Sequence, residues 1–239
     1  MSYTLTIILP TQNEARNIGS FLASLPPDLP LIVVDDSNDE TPQLINRLRP
    51  YRTRVLRQRS TISQARQIGA AAATTPWFLF TDADVSFAPD YFNLLPAYLN
   101  GETAVLYGPK LSQGPFPHYY RWFTRGQKLA DFCGIPAASG SNLLIRRDAF
   151  RAVGGFDLDL TCNEDSEIAW RIQRQGYNVR FLPQLIVYAR DQRRLARQGQ
   201  LGKLAHSTLR CLLLYTGLLP RAWRRHDWGY WTKDDRIKI

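Results

Sequence analysis

Short apolar runs in this chain alternate with stretches where apolar residues recur every three or four positions. Leu5 to Leu9 (LTIIL) is a β-branched run closed by Pro10, and Leu31 to Val34 (LIVV) is closed by Asp35-Asp36. Continuous apolar runs of this length predict strands buried on both faces of a parallel sheet. Between them Ala15, Ile18, Phe21, Leu22 and Leu25 share one side of a helix that Pro26-Pro27 ends. Thr41-Pro42 predicts a second helix, with Thr41 as cap, proline in the first helical position and Leu44, Ile45 and Leu48 as its apolar face. Val55-Leu56 reads as a short third strand, Ile62 to Ala73 as an alanine-rich helix, and Trp77 to Thr81 (WFLFT) as the next buried strand. Farther on, Ser166, Ile168, Ala169, Trp170 and Ile172 continue a helix whose first turn holds Glu164 and Asp165. A last amphipathic helix is carried by Leu201, Leu204, Ala205, Thr208, Leu212, Tyr215 and Leu219, with Lys203 and Arg210 elsewhere on its wheel.

Alternating strands and helices predict a doubly wound α/β sheet, whose ligands bind beyond the carboxyl ends of the strands. Pro10-Thr11-Gln12-Asn13, Asp35-Asp36 and Asp82-Ala83-Asp84 all fall at such ends. Taken singly, each aspartate also fits a turn or a helix cap, so only the convergence points to a ligand.

Composition narrows the picture. A chain of 239 residues that is 44% hydrophobic can bury the core of one domain. Residues 1–100 hold 8 Lys+Arg against 9 Asp+Glu, whereas the stretch from Arg190 onward holds 12 against 4, so the excess of +9 gathers at the end. A basic end suits an anionic membrane surface or phosphorylated substrates, and suits equally a solvated face. Without a nucleic-acid-binding motif it does not point to nucleic acid. Cys133, Cys162 and Cys211 are odd in number and lack metal spacing, which argues against a disulfide framework. No basic stretch followed by an apolar segment opens the chain, so the expected location is cytoplasmic. The apolar run Cys211 to Leu219 is shorter than the roughly 20 residues of a membrane span, so any membrane contact is expected to be peripheral. That contact competes with docking of the helix on the domain itself.

Neither G-x-G-x-x-G after the first strand nor G-x-x-x-x-G-K-[ST] occurs, so two common ways of holding phosphate are missing. Asp82-Ala83-Asp84 offers another, since two carboxylates one residue apart suit a hard divalent cation, Mg²⁺ or Mn²⁺, that bridges phosphates. Glu164-Asp165 lies where a helix dipole favours negative charge, which is expected to keep Asp165 ionised as a base. A purely structural charge at a helix start would look the same.

These motifs together resemble the inverting glycosyltransferases of family 2, over about residues 4 to 190. The resemblance rests on IILPTQNEARNI (Ile7 to Ile18), IVVDDSNDET (Ile32 to Thr41), QARQIGAAAA (Gln64 to Ala73), FTDADV (Phe80 to Val85), SGSNLLIRRDAFRAVGGFD (Ser139 to Asp157) and NEDSEIAWRIQRQGYNVRFLP (Asn163 to Pro183). It implies the GT-A fold, a Rossmann-like doubly wound mixed sheet. A catalytic domain is expected over 1–190, with the nucleotide bound by 1–100 and the acceptor and base in 101–190, followed by a basic amphipathic tail over 191–239. The stretch N-E-A-x-N-I looks closest to the polyprenyl-phosphate sugar transferase branch.

Carried over by resemblance, Pro10, Gln12 and Asp36 line the nucleobase and ribose, with Asn13 and Glu14 supporting the loop. Arg66 approaches the diphosphate, Asp82 contacts ribose or metal, and Asp84 coordinates the metal. Ser139, Gly140, Ser141 and Asn142, with Glu164, surround the sugar and acceptor, and Asp165 deprotonates the acceptor hydroxyl. The chain departs from the family's pattern at Gln12, where tyrosine is common, and at Ala189, where many members have a metal-binding histidine. Water or Asp191 would complete the metal shell, and Arg193 and Arg194 offer guanidinium forks for the diphosphate or form an ordinary basic turn. The implied partners are a UDP- or GDP-sugar donor and a lipid-linked or saccharide acceptor. A sugar nucleotidyltransferase would begin with a glycine-rich, arginine-containing loop, which IILPTQNEARNI is not. A non-catalytic nucleotide-binding scaffold would leave Asp84 and Asp165 without a reason to coexist.

Overall fold

A computed structural model describes residues 4–99, 101–190 and 200–225, with side chains in the last stretch placed for 208–220 and 223–225. Seven strands form one sheet in the order β3 (Thr53–Arg57), β2 (Leu31–Asp35), β1 (Leu5–Thr11), β4 (Trp77–Phe80), β8 (Leu143–Arg146), β6 (Val105–Tyr107) and β9 (Val179–Phe181). The first four are parallel, β8 runs antiparallel between β4 and β6, and β9 pairs parallel with β6. The expected mixed doubly wound sheet of the GT-A type is therefore present. Strands from both parts of the chain share it through the β4–β8 pairing.

The continuous apolar runs follow from this central position. Ile7, Leu9, Leu31, Val33, Trp77 and Leu79 enter one core layer, and Ile8, Ile32, Phe78 and Phe80 enter the other. Helices α1 (Ile18–Ala23), α2 (Thr41–Leu48) and the short α4 (Tyr91–Leu94) contribute Ile18, Phe21, Ile45 and Tyr91 to the first layer. The second is closed by α3 (Ile62–Ala72), α6 (Arg147–Ala152) and α7 (Glu164–Arg174), through Ala70, Phe150, Ile168 and Ile172. A Cβ at Gly69 would collide with the Ile8 side chain, so glycine lets α3 lie close against β1.

Several boundaries differ from the sequence reading, each for a physical reason. Pro10 does not end β1 but lies inside it, opposite Val34. The carbonyl of Ile8 faces β4 and accepts from Thr81, so Pro10, two residues on, faces the same side after the β1–β4 pairing has ended at Phe80. Its missing N–H therefore breaks no ladder bond. Helix α1 begins only at Ile18, because Glu14 to Asn17 form a turn in which the Glu14 carbonyl accepts from Asn17 and Ile18. Leu48 is exposed at the end of α2 rather than part of its buried face.

A second, three-stranded sheet is ordered β5 (Val85–Phe87), β10 (Val187–Ala189) and β7 (Lys110–Ser112). It meets the loop that follows β4 just past β10, where the Arg190 N–H donates to the Asp84 carbonyl. Helix α5 (Pro117–Phe132) packs on β7 and β9. Helix α8 (Gln200–Tyr215) packs on α7, where Leu214 and Leu219 join Leu160 and Trp170. Arg210, expected on the polar side of this helix, is buried instead, with Nη2 donating to the Arg224 carbonyl at 3.0 Å. Among the described residues no helix is long and apolar enough to cross a membrane.

Candidate active site

The three polar clusters converge at the carboxyl edge of the sheet, but they are built differently. At the end of β2, Asp35 is buried and closed on all sides. Thr11 Oγ1 and Ser37 Oγ donate to its Oδ1 at 2.6 and 2.7 Å, and Arg57 pairs with Oδ2. Asp36 next to it is half-buried, and Gln12 Nε2 reaches it at 3.4 Å. Asn13 adopts a positive φ of 56°. Its N–H donates to Ser37 Oγ at 2.8 Å and its Oδ1 accepts from the Asn38 N–H at 2.9 Å, which locks the loop after β1 to the loop after β2. Glu14 belongs to the same lock: its N–H donates to Thr41 Oγ1 at 2.9 Å and its carboxylate accepts from Asn17 at 2.7 Å.

Beyond β4 the charges are stacked more densely. Arg66 projects from α3, which a reciprocal bond pair between Thr61 and Gln64 caps at its start. Its guanidinium, 2% exposed, donates to Asp82 Oδ1 at 2.9 Å and pairs with Glu164 of α7. Ser141 Oγ donates to Asp82 Oδ2 at 2.6 Å, and Thr81 Oγ1 holds the Ser141 carbonyl at 2.9 Å. The loop over Ser139 to Asn142 is thereby pinned across the strand end. A Cβ at Gly140 would run into the Arg66 guanidinium, so only glycine lets this backbone lie over the buried charge. Asn142 is 0% exposed, with Tyr91 donating to its Oδ1 at 2.5 Å and its Nδ2 donating to the Leu185 carbonyl at 2.7 Å. It belongs to the scaffold beneath the loop and has no surface for a sugar. Arg66 and Glu164 likewise lie under the site, where each organises the other's charge rather than facing open space.

Asp165 stands at the start of α7, after Asn163 in a left-handed conformation. Gly140 N–H donates to its Oδ2 at 2.6 Å and Ser166 N–H to its Oδ1 at 2.7 Å. Burial and then the neighbouring Glu164 raise its carboxyl to about 7, which Arg66 and the two N–H donors only partly offset. This corrects the expectation that the helix dipole keeps it fully ionised: in this setting desolvation and a like charge win. Asp165 retains some accessible surface. For Asp82, burial acts upward, but Arg66 and Lys110 outweigh it and hold the carboxyl below its ordinary value.

Lys110 was not singled out in the sequence. Its Nζ lies 3.3 and 3.4 Å from the two Asp84 oxygens and 3.2 Å from Ser141 Oγ. Burial would lower its pKa, yet Asp84 and Asp82 raise it, so it stays charged. The signal was the one used for the aspartates, a charged residue just past a short buried run, Val105 to Tyr107.

Among the described residues no three His, Cys, Asp or Glu side chains gather as a metal cluster. Ala189 is buried in β10 opposite Val85, and the Arg190 N–H donates to the Asp84 carbonyl at 2.7 Å. Asp84 and Asp82 still offer two hard carboxylates, and a cation that keeps its waters and takes phosphate oxygens needs no more than that. The donor set fits such an ion, which would share Asp84 with Lys110. Arg193, Arg194 and Asp191 lie outside the described residues.

The family model described as glycosyl transferase family 2 matches residues 6–154, and that of glycosyl transferase family 21 matches 118–200. The pre-mycofactocin glycosyltransferase of Mycobacterium tuberculosis is 26% identical over 206 residues, which cover 79% of this chain and 43% of that protein. The succinoglycan biosynthesis protein ExoA of Rhizobium meliloti is 27% identical over 194 residues, 72% of this chain and 59% of its own. The chain thus spans about half the length of these relatives. Among solved structures, the mannosyltransferase PcManGT from Pyrobaculum calidifontis, in complex with GDP-Man and Mn²⁺, has a TM-score of 0.71 at 21% identity, covering 94% of this chain and 68% of that one. Residues 1–349 of S. aureus TarS, in complex with UDP-GlcNAc, have a TM-score of 0.62 at 18% identity, covering 80% and 59%. At these identities the likeness is one of fold.

Proposed function

The chain belongs to glycosyl transferase family 2, and on that premise we propose that it moves a sugar from a nucleoside-diphosphate donor to an acceptor hydroxyl with inversion, Asp165 acting as the base. The observation that carries this reading is the state of Asp165: a partly accessible carboxyl raised to about 7, fixed by two backbone N–H groups at the rim of the charged cluster. A base whose pKa lies near the working pH combines a populated ionised form with useful basicity. Pro10, Gln12 and Asp36 receive the nucleobase and ribose on a loop that Asn13 and Glu14 stiffen. Ser139, Gly140 and Ser141 lie by the sugar, and Asp82 reaches the ribose or the divalent cation. Solved neighbours with GDP-Man and UDP-GlcNAc support a nucleotide sugar as donor.

In the transfer, Asp165 takes the proton of the acceptor hydroxyl as its oxygen bonds to the anomeric carbon. The bond from that carbon to the diphosphate breaks on the opposite face. Lys110 and the buried Arg66 set positive charge near the leaving group. A divalent cation, Mn²⁺ or Mg²⁺, held by Asp84 and Asp82, would supply further charge there. The acceptor is a lipid-linked or saccharide hydroxyl, and membrane contact is peripheral, on the cytoplasmic side.

Asp165→Asn tests the assignment. Its amide can accept only one of the two N–H groups, so about 1 kcal/mol of stability is expected to be lost. Donor affinity should hold while transfer at saturating donor falls about 10²- to 10⁴-fold, roughly 3 to 5 kcal/mol in barrier. A mutant that transfers at the wild-type rate would remove Asp165 from the chemistry.

A further inference from the structure

Helix α5 is 16 residues long, yet only Tyr120 and Gln127 are buried. Those two are seven apart and define one narrow contact line, along which the helix rests on β7 and β9. On the opposite side Trp122, Leu129 and Phe132 are 63%, 65% and 88% exposed. Their spacing of seven and three residues makes them a single stripe. Arg121 and Arg125 lie on that same side, Lys128 borders it, and all three are exposed. The Arg125 guanidinium sits 4.9 Å from the centre of the Trp122 ring. This inverts the ordinary surface helix, whose large apolar residues face the core.

We propose that the outer face of α5 is a docking surface for an anionic lipid bilayer. Trp122, Leu129 and Phe132 enter the boundary between headgroups and acyl chains, and Arg121, Arg125 and Lys128 meet the lipid phosphates. The interleaving decides for lipid over a protein partner. A protein interface pairs its cations with acidic groups or depletes lysine, whereas long cationic side chains of one sign among apolar ones suit a bilayer, where their stems stay in the apolar layer and their heads reach the phosphates. Charge is complementary as well: three Arg and Lys stand against Asp131 alone on the helix, in a chain of net charge +9.

Position gives the surface a use. Tyr120 packs with Ala189 on the strand beside Asp84, and the segment after α5 leads into the loop of Ser139 to Asn142. A bilayer on α5 therefore lies next to the candidate active site. Resting on the transferase reading, this makes the acceptor one presented at a membrane surface, and so lipid-linked.

The test is flotation of the full chain with phosphatidylcholine vesicles, with and without phosphatidylglycerol, which requires no turnover. Wild type should bind the anionic vesicles, less tightly as salt is added. The triple variant Trp122→Ser, Leu129→Ser, Phe132→Ser should weaken that binding by on the order of tenfold or more, with an unchanged melting temperature because all three residues are exposed. Leu48→Ser with Tyr51→Ser, exposed at the other edge of the sheet, should change nothing. Equal binding by wild type and the triple variant overturns the proposal and moves any membrane contact to the tail. It is also overturned if wild type ignores anionic vesicles but self-associates in a way the triple variant abolishes. A chain that floats normally yet transfers no sugar would defeat the transferase reading and leave the docking surface standing.

Discussion

Two aspartates at equivalent places in the sheet, Asp35 at the end of β2 and Asp82 just past β4, have opposite surroundings. Around Asp35 the account is closed: two hydroxyls and one arginine meet its two oxygens, and it is buried with its partners beside it. Around Asp82 three further carboxylates, Asp84, Glu164 and Asp165, crowd against two cations, Arg66 and Lys110. The surplus bears on Asp165, whose pKa is driven up. A strand-end aspartate is therefore no mark of chemistry by itself. The mark is a charge that its neighbours leave uncompensated.

The contrast can be broken most forcefully at Arg66. Arg66→Met removes the cation shared by Glu164 and Asp82 and leaves buried carboxylates unpaired, which is expected to cost about 3 to 5 kcal/mol in urea denaturation. An unchanged midpoint would mean the cluster is wetter and looser than described. Asp35→Asn should cost less, about 1 to 3 kcal/mol, since one buried donor loses its acceptor. Its transfer rate per folded molecule should match wild type. A lost rate with intact stability would bring Asp35 into the chemistry and erase the distinction. Smaller still is the effect at Asp84, partly exposed and shared with Lys110. Nucleoside-diphosphate affinity, measured by calorimetry, should rise on adding Mn²⁺ by on the order of tenfold, about 1.4 kcal/mol, and Asp84→Ala should remove that increment. The same metal dependence in both proteins would take Asp84 out of the ion's reach.

The difference between the clusters also marks where sequence stops being informative. Strands β1, β2 and β4 were legible because both their faces are buried, which leaves an unbroken apolar run. Three-residue strands such as β5, β7 and β10 are too short for any periodicity, so the small sheet that carries Lys110 to Asp84 was invisible. The Asp35-Asp36 pair could be read as a strand end, but which of the two is locked depends on Thr11 and Arg57, 24 and 22 residues away. Arg210 was misplaced for a similar reason: a cation on an amphipathic wheel reads as solvent-facing until the carbonyls of a following turn close over it. Asn142 was carried with its motif, and only the contacts of Tyr91 and Leu185 put it below the loop.

The central claim is that crowding tunes Asp165 as a base, and the pH dependence of transfer at saturating donor and acceptor addresses it most directly. A base must be ionised, so turnover should fall about tenfold per pH unit on the acid side of a single ionisation near 7. Glu164→Gln removes a like charge that raises Asp165, so the acid limb of that variant should move to lower pH. A wild-type profile that stays flat down to about pH 5, or a limb that Glu164→Gln leaves in place, would contradict the account.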